Sequence, residues 1–203
     1  MEKESEFSRK ILRQTMKWLL DLIKKRRSIR RFKDTPIAEA DLRELIEAGI
    51  YAPSGSNTQC YRFSVIENRE DIEFLGEKKI PIVANAQAII LVVADFAKCD
   101  YLRGSRKDVF DKLPYQDCAM AMQNIVLLAE SKSISSCVIH LSEYWHSAEE
   151  IANRFNIPLS CEMQGLILLG YADEVVDYKT ATHAGRPIKR KKVEDYILEW
   201  RKK

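Results

Sequence analysis

The residues best suited to chemistry in this chain of 203 residues begin with a cluster of cations near its start. Six of the eight residues from Lys24 to Arg31 are lysine or arginine, and Ser28 adds a hydroxyl between them. Arginine donates paired hydrogen bonds to phosphate oxygens, so the segment suits a phosphate group. A solvated helix end has the same composition and is the alternative interpretation.

Two further polar segments have residue types that suit binding. Ala52 to Tyr61 combines amides, hydroxyls and the permissive Gly55, which could hydrogen-bond the edge of a polar heterocycle or simply form a turn after a helix. Arg186 to Lys192 holds five cations in seven residues. This third segment could supply more phosphate contacts, bind nucleic acid, or be a solvated tail.

Several common binding motifs are missing from the sequence. The seven glycines form neither GxGxxG nor GxxxxGK, which excludes the Rossmann fingerprint and the P-loop. The three histidines form no HExxH, and no two of the five cysteines are closer than 19 residues, so we expect no metal site. A phosphate-bearing cofactor would therefore be held by cationic side chains.

The overall composition is that of a globular protein, with 46% hydrophobic residues and a net charge of +3. This charge does not by itself indicate a nucleic-acid partner. The longest apolar run, Ala88 to Ala94, is far shorter than the roughly 20 residues of a membrane helix. The charged first ten residues and the odd number of cysteines lead us to expect a cytoplasmic protein with reduced thiols.

Hydrophobic periodicity predicts alternating helices and strands after a polar arm over residues 1–17. The remaining residues, 18–203, are expected to form one α+β or α/β domain around a buried sheet. Ser147 to Glu150 has the pattern of a capping box. The predicted helices are Trp18–Arg27, Glu39–Tyr51, Asp71–Lys79, Tyr115–Lys132 and Ser147–Asn156, and the predicted strands are Tyr61–Glu67, Ala88–Asp95, Ser136–Leu141 and Met163–Tyr171.

Five motifs between Leu19 and Trp200 occur in the order typical of the nitroreductase family of flavin enzymes, which the chain resembles. The family motifs are RRSxRxF, APSxxNxQPWxF, a central apolar helix, LxLGYxDE and RKxxE. Their counterparts here are Arg26–Phe32, Ala52–Phe63, Ala119–Ala129, Leu168–Glu174 and Arg190–Glu194.

The resemblance implies an α+β fold, a nitroreductase-like sheet flanked by helices, in an intertwined homodimer with FMN at the interface. It implies that two groups of residues contact the FMN phosphate and ribityl chain: Arg26, Arg27, Ser28 and Arg30, and Lys189 with Arg190. It also implies that two groups contact the flavin ring: Pro53, Ser54, Gly55 and Asn57 of the other subunit, and Val138–Leu141, which includes His140 and Leu141.

The sequence departs from the family pattern at three places. Cys60-Tyr61 stands where the family usually has Pro-Trp, so we expect a less rigid loop exit. Lys192 stands where a proline is common, and Ser133 to Ser136 replaces a segment that often carries glycines.

The resemblance also implies an activity: hydride transfer from NADH or NADPH through FMN to a small-molecule acceptor such as a nitroaromatic, quinone or enone. We assign no side-chain acid or base, and interpret His140 as a core histidine and Cys60 as a structural thiol. Two alternatives stay open. One is a specialised flavin enzyme of the same fold, either a dehalogenase or a flavin-fragmenting enzyme, and the other is a basic nucleic-acid-binding module.

Overall fold

A four-stranded antiparallel sheet forms the centre of the fold. The structure is a computed structural model that describes residues 17–78, 81–102, 112–140, 147–174, 182–183, 186–187, 190 and 192–199. The strands are β1 (Tyr61–Ile66), β2 (Ala88–Asp95), β3 (Ser135–His140) and β4 (Cys161–Gly170), in the order β1-β2-β4-β3. Because neighbouring strands are antiparallel, the fold is α+β, as the resemblance implies, and not α/β.

Within the described residues, five α-helices accompany these strands in the predicted order, two before β1 and one before each later strand. They are α1 (residues 17–25), α2 (Glu39–Ile50), α3 (Arg69–Glu77), α4 (Leu113–Ser131) and α5 (Ala148–Arg154). None of the helices within the described residues is long and apolar enough to cross a membrane. Short 3-10 helices at Pro81–Asn85 and Phe96–Leu102 flank β2.

The sheet carries an apolar cluster on each face. Ile90 and Val92 of β2 belong to one cluster with Leu45 of α2 and Ile125 of α4. Their neighbours Ile89 and Leu91 belong to the other, with Ile72 of α3 and Ile151 of α5. Since successive strand residues point to opposite faces, a strand covered on both sides must be apolar throughout. This explains the uninterrupted apolar run of β2.

The predicted capping box at Ser147 is wrong. The Ser147 side chain makes no capping hydrogen bond, and its φ of −110° and ψ of 10° lie outside the extended region that an N-cap uses. Glu150, the other half of the predicted box, instead forms an ion pair with Lys78 after α3. A tertiary contact has replaced the local one.

The chain divides into two compact units, Met1–Asp173 and Glu174–Lys203. The second unit contains the antiparallel pair β5 (Thr182–His183) and β6 (Arg186–Pro187) and a 3-10 helix at Val193–Tyr196. Leu141, Lys189 and residues 1–16 of the predicted arm lie outside the described residues.

Candidate functional site

The cationic segment is built onto one end of the sheet. After α1 ends at residue 25, Ile29 N donates to Ser136 O of β3 at 3.0 Å. Lys33 N donates to Tyr171 O, just after β4, at 2.8 Å. The chain between α1 and α2 therefore runs beside the sheet as extended backbone. Arg26 N still donates to Leu22 O at the end of α1, so the alternative of a solvated helix end fails only from Ser28 onward.

Phe32 and Gly170 bring two of the sequence motifs into direct contact. A Cβ atom on Gly170 would lie 2.7 Å from Cβ of Phe32, closer than real Cβ contacts come. Phe32 is buried, and it also forms an antiparallel bridge with Ala172. The glycine at the end of β4 is thus needed because the cationic segment packs on it.

The side chains of this segment form a half-buried cationic cluster. Arg26, Arg27, Ser28 and Arg30 are each of intermediate exposure. Arg27 Nη1 donates to Arg26 O at 2.9 Å and to Lys24 O, and Arg30 Nη1 lies 3.5 Å from Ser28 O. Partial burial strengthens the interaction of guanidinium groups with an anion, because the effective dielectric is lower than in water. The donor set fits a phosphate.

The loop after α2 has an unusual backbone. Gly55–Asn57 forms a single 3-10 turn. Ser56, Asn57 and Gln59 have φ values of 49°, 55° and 47°, in the left-handed region that residues with a Cβ rarely occupy. Ser54 Oγ accepts a hydrogen bond from Gln59 N at 3.0 Å and closes the loop. Its conformation is therefore held by contacts and not by backbone preference.

Asp117 on α4 is a site residue that the sequence analysis missed. Its carboxylate is buried and accepts hydrogen bonds from Gly55 N at 3.1 and 3.2 Å and from Thr58 Oγ1 at 3.3 Å. The Cys60 thiol lies 3.6 Å from Asp117 Oδ2. The available signal was an acidic residue directly before Cys118, on the inner face of an apolar helix.

The loop exit is fixed by side chains that differ from the family pattern. Cys60 is fully buried, and Tyr61 places its hydroxyl 2.9 Å from Ile50 O and 3.0 Å from Ala52 O. These contacts hold the end of α2 and the start of the loop. The loop exit is therefore held by side-chain contacts, and the expectation of a less rigid exit is not supported.

The thiol of Cys60 is suited to structure and not to redox chemistry. A hydrogen bond with Cys118 and burial both raise its pKa far above the ordinary value. A thiol that stays protonated at neutral pH is a poor nucleophile. This supports the interpretation of Cys60 as a structural residue.

The raised pKa of Cys60 predicts a loss of stability at high pH. Above about pH 8.5 the unfolded chain releases the thiol proton and the folded chain keeps it, so stability falls as the pH rises. Cys60→Ser keeps a donor for Asp117 but does not ionise. In urea unfolding between pH 9.5 and 10.5, where the unfolded thiol is almost fully ionised, we expect the variant to lose about 1.4 kcal/mol less per pH unit than the parent. Equal slopes would contradict the prediction.

The cationic segment and the loop lie at opposite ends of the sheet. Ser28 bridges Ser136, which pairs with Leu169 and, through it, with Ala88 at the start of β2. The loop leads into Tyr61, which pairs with Ala94 at the other end of β2. Six strand steps separate Ala88 from Ala94, which is about 20 Å. One copy of the chain does not bring these two predicted groups together.

The interpretation of His140 as a core histidine is wrong. His140 is exposed at the end of β3, opposite Gly165 of β4. Burial decreases along β3, from the buried Ser136 and Cys137 to the exposed His140. Arg190 belongs to the second unit, and its side chain is exposed.

Among the described residues, no group of three or more His, Cys, Asp or Glu is placed to hold a metal ion.

Comparison with known proteins agrees with the motifs. Two archaeal relatives are both named "Putative NADH dehydrogenase/NAD(P)H nitroreductase". The Archaeoglobus fulgidus protein is 29% identical over 178 residues, spanning 85% of this chain and 95% of the relative. The Methanothermobacter thermautotrophicus protein is 31% identical over 161 residues, spanning 77% and 78%.

Solved structures share the fold. A crystal structure from Desulfovibrio desulfuricans, described as "a putative nitroreductase in complex with fmn", is 27% identical with a TM-score of 0.69, and covers 91% of this chain and 98% of that one. The model of the nitroreductase family matches residues 23–81 and 75–171. These matches include the cationic segment, the loop, the sheet and α4, and the chain therefore belongs to the nitroreductase family.

Proposed function

We propose that the chain is an FMN-dependent oxidoreductase that takes a hydride from NADH or NADPH and reduces a small-molecule acceptor. The observation that carries the proposal is the half-buried cationic cluster fixed to the end of the sheet in a nitroreductase fold. The archaeal relatives with NAD(P)H nitroreductase names support the reductant, and the FMN complex of the Desulfovibrio relative supports the cofactor.

The residues present fit FMN at its two chemically different ends. The guanidinium groups and the Ser28 hydroxyl would hold the phosphate and ribityl chain, and the strained loop would present backbone and amide groups to the ring. We propose the following contacts: Arg26, Arg27, Ser28 and Arg30 with Lys189 and Arg190 on the phosphate side, and Pro53, Ser54, Gly55, Asn57, His140 and Leu141 on the ring side.

We further propose that each site is completed by the loop of a second copy, in a homodimer. The separation of about 20 Å between the two groups within one chain supports this arrangement. Exposed large apolar side chains support an extensive interface as well. On α1 these are Trp18, Leu19, Leu20 and Ile23, and on α4 they are Tyr115 and Met120.

The chemistry that FMN supplies when bound is hydride acceptance and electron donation. The chain's own residues anchor the phosphate, orient the ring through the loop and shape the cleft. We assign no side chain as acid or base. We propose that the acceptor is a small molecule such as a nitroaromatic, quinone or enone, and that the enzyme acts in the cytoplasm.

Absorbance of the purified protein, before and after anaerobic addition of NADH or NADPH, tests the proposal. We expect flavin bands that bleach on addition of at least one of the two nucleotides. Turnover with a nitroaromatic, a quinone and an enone then identifies the acceptor class. Absence of flavin bands after incubation with FMN and gel filtration would overturn the flavin proposal and favour the nucleic-acid-binding module.

Reductive dehalogenation is a second candidate, favoured by one relative. The Thermotoga neapolitana protein named "Iodotyrosine deiodinase" is 25% identical over 186 residues, spanning 78% of this chain and 91% of the relative. The long polar stretch from Lys98 to Pro114 is where we expect substrate contacts for dehalogenation of an amino acid, and its residues 103–111 lie outside the described residues. Flavin bands that persist with both nucleotides, together with halide release from a halotyrosine under a chemical reductant, would favour this candidate.

A further inference from the structure

Asp117 is an unusual residue for its position. Among the described residues it is the one buried side chain that carries a formal charge, with 1% of its surface exposed. Burying a carboxylate is unfavourable unless hydrogen bonds replace its hydration. A neutral residue of similar volume would suit the inner face of α4 better. The carboxylate must therefore be explained by what it binds.

The donors to Asp117 come from a single segment of the chain. Gly55 N, Thr58 Oγ1 and Cys60 Sγ all belong to the loop between α2 and β1. In the described part of the chain, no lysine or arginine forms an ion pair with Asp117. Its contacts therefore serve the loop and not the attachment of another helix or strand.

These donors bracket the strained residues of the loop. Gly55 directly precedes Ser56 and Asn57, and Thr58 and Cys60 lie on either side of Gln59. Left-handed backbone at residues with a Cβ persists only where the surroundings fix it. A carboxylate that accepts from both sides of each strained stretch is such a constraint.

We propose that Asp117 is a positioning residue for the flavin-binding loop. Its carboxylate holds residues 54–60 in the conformation that presents the loop to the flavin ring, so that the ordering cost of the loop is met on folding and not on binding. The inference rests on the proposed function, because it takes FMN as the ligand. Asp117 lies beneath the loop and is not assigned to the reaction itself.

The test compares flavin affinity in Asp117→Asn and in a control of matched stability. Asparagine keeps the shape of the Asp117 side chain but replaces one carboxylate oxygen by an NH2 group. This NH2 group is a hydrogen-bond donor and would face the donors of the loop, so it cannot accept their hydrogen bonds. We expect equilibrium dialysis of the purified protein to show a rise in the FMN dissociation constant of about tenfold or more. Ile151→Val, which trims the apolar cluster on the other face of the sheet, should leave the constant within about twofold at a similar loss of thermal stability.

The affinity for riboflavin distinguishes a defect of the loop from a general loss of stability. Because the loop is assigned to the ring, Asp117→Asn should weaken riboflavin and FMN by the same factor. Arg30→Ala should weaken FMN far more than riboflavin, which lacks the phosphate. If Asp117→Asn affected only FMN, the assignment of the loop to the ring would be overturned.

A milder variant keeps the proposal testable if Asp117→Asn does not fold. Thr58→Val removes one donor and keeps the carboxylate, and we expect a few-fold weaker binding of both flavins. Wild-type affinity in a folded Asp117→Asn protein, or in Thr58→Val where the first variant fails, would overturn the inference. Failure of the wild-type chain to bind FMN would instead overturn the proposed function.

Discussion

Replacing Arg30 by alanine is expected to weaken FMN binding by about 10- to 100-fold, the equivalent of about 1.5–3 kcal/mol for a charge-assisted hydrogen bond. Arg30 is half-buried within the extended segment that is hydrogen-bonded to the end of the sheet. The fold should persist, because the segment is held by backbone hydrogen bonds and by Phe32. Equilibrium dialysis against FMN and thermal unfolding of the same sample measure both quantities.

Arg43→Ala is the matched control for this prediction. Arg43 is an exposed arginine on α2, paired with Glu39 one helical turn away. Its removal should leave the FMN dissociation constant unchanged. Arg30→Lys should recover part of the affinity, since lysine keeps the charge but not the planar fork of donors. An Arg30→Ala protein that binds FMN as tightly as the Arg43→Ala protein would remove Arg30 from the phosphate site.

Two variants that each weaken FMN binding at every site of a homodimer are expected to leave one site of wild-type affinity when they are combined in one heterodimer. Arg30→Ala damages the phosphate side. Asn57→Val damages the loop, because Asn57 has a φ of 55°, a backbone conformation that a β-branched side chain does not tolerate without strain. If each site takes its cations from one subunit and its loop from the other, the heterodimer holds both defects in one site and leaves the second site intact. We expect about one FMN per heterodimer isolated with two affinity tags.

The reversed combination provides the control. A heterodimer of the wild-type chain with a chain that carries both substitutions has one defect in each shared site, so it should retain no tightly bound FMN. Sites contained within one subunit predict the opposite in both experiments: no FMN in the first heterodimer and about one FMN in the second. The two preparations contain the same substitutions in the same number, which removes stability as an explanation of the difference.

The sequence alone determined the elements and the family. In the described part of the main unit, the five α-helices and four strands occur in the predicted order, and β2 has the predicted bounds of Ala88–Asp95. This succeeded because a strand covered on both faces must be apolar at every position, a local signal that needs no knowledge of its partners. The motif order similarly identified the nitroreductase family, which the family match confirms.

Contacts between distant residues decided what the sequence could not. Ser147 to Glu150 has a capping pattern, yet Glu150 pairs with Lys78, 72 residues away. His140 sits in an apolar stretch, yet it is exposed at the end of β3, although Cys137 on the same strand is buried. Periodicity reports how a residue relates to its neighbours in the chain, and neither the strand order nor the partner of a charge can be read from it.

For the candidate site, too, the sequence predicted some features and only the tertiary structure revealed others. The sequence alone marked the cationic segment and the loop, because arginine clusters and polar loops with glycine are visible as composition. Only the tertiary structure shows that Phe32 requires the glycine at position 170, and that the loop is held by Asp117, 57 to 62 residues further along the chain. Strand register also places the two segments about 20 Å apart. Register and burial arise from packing over the whole domain, so these features follow from the fold and not from any one motif.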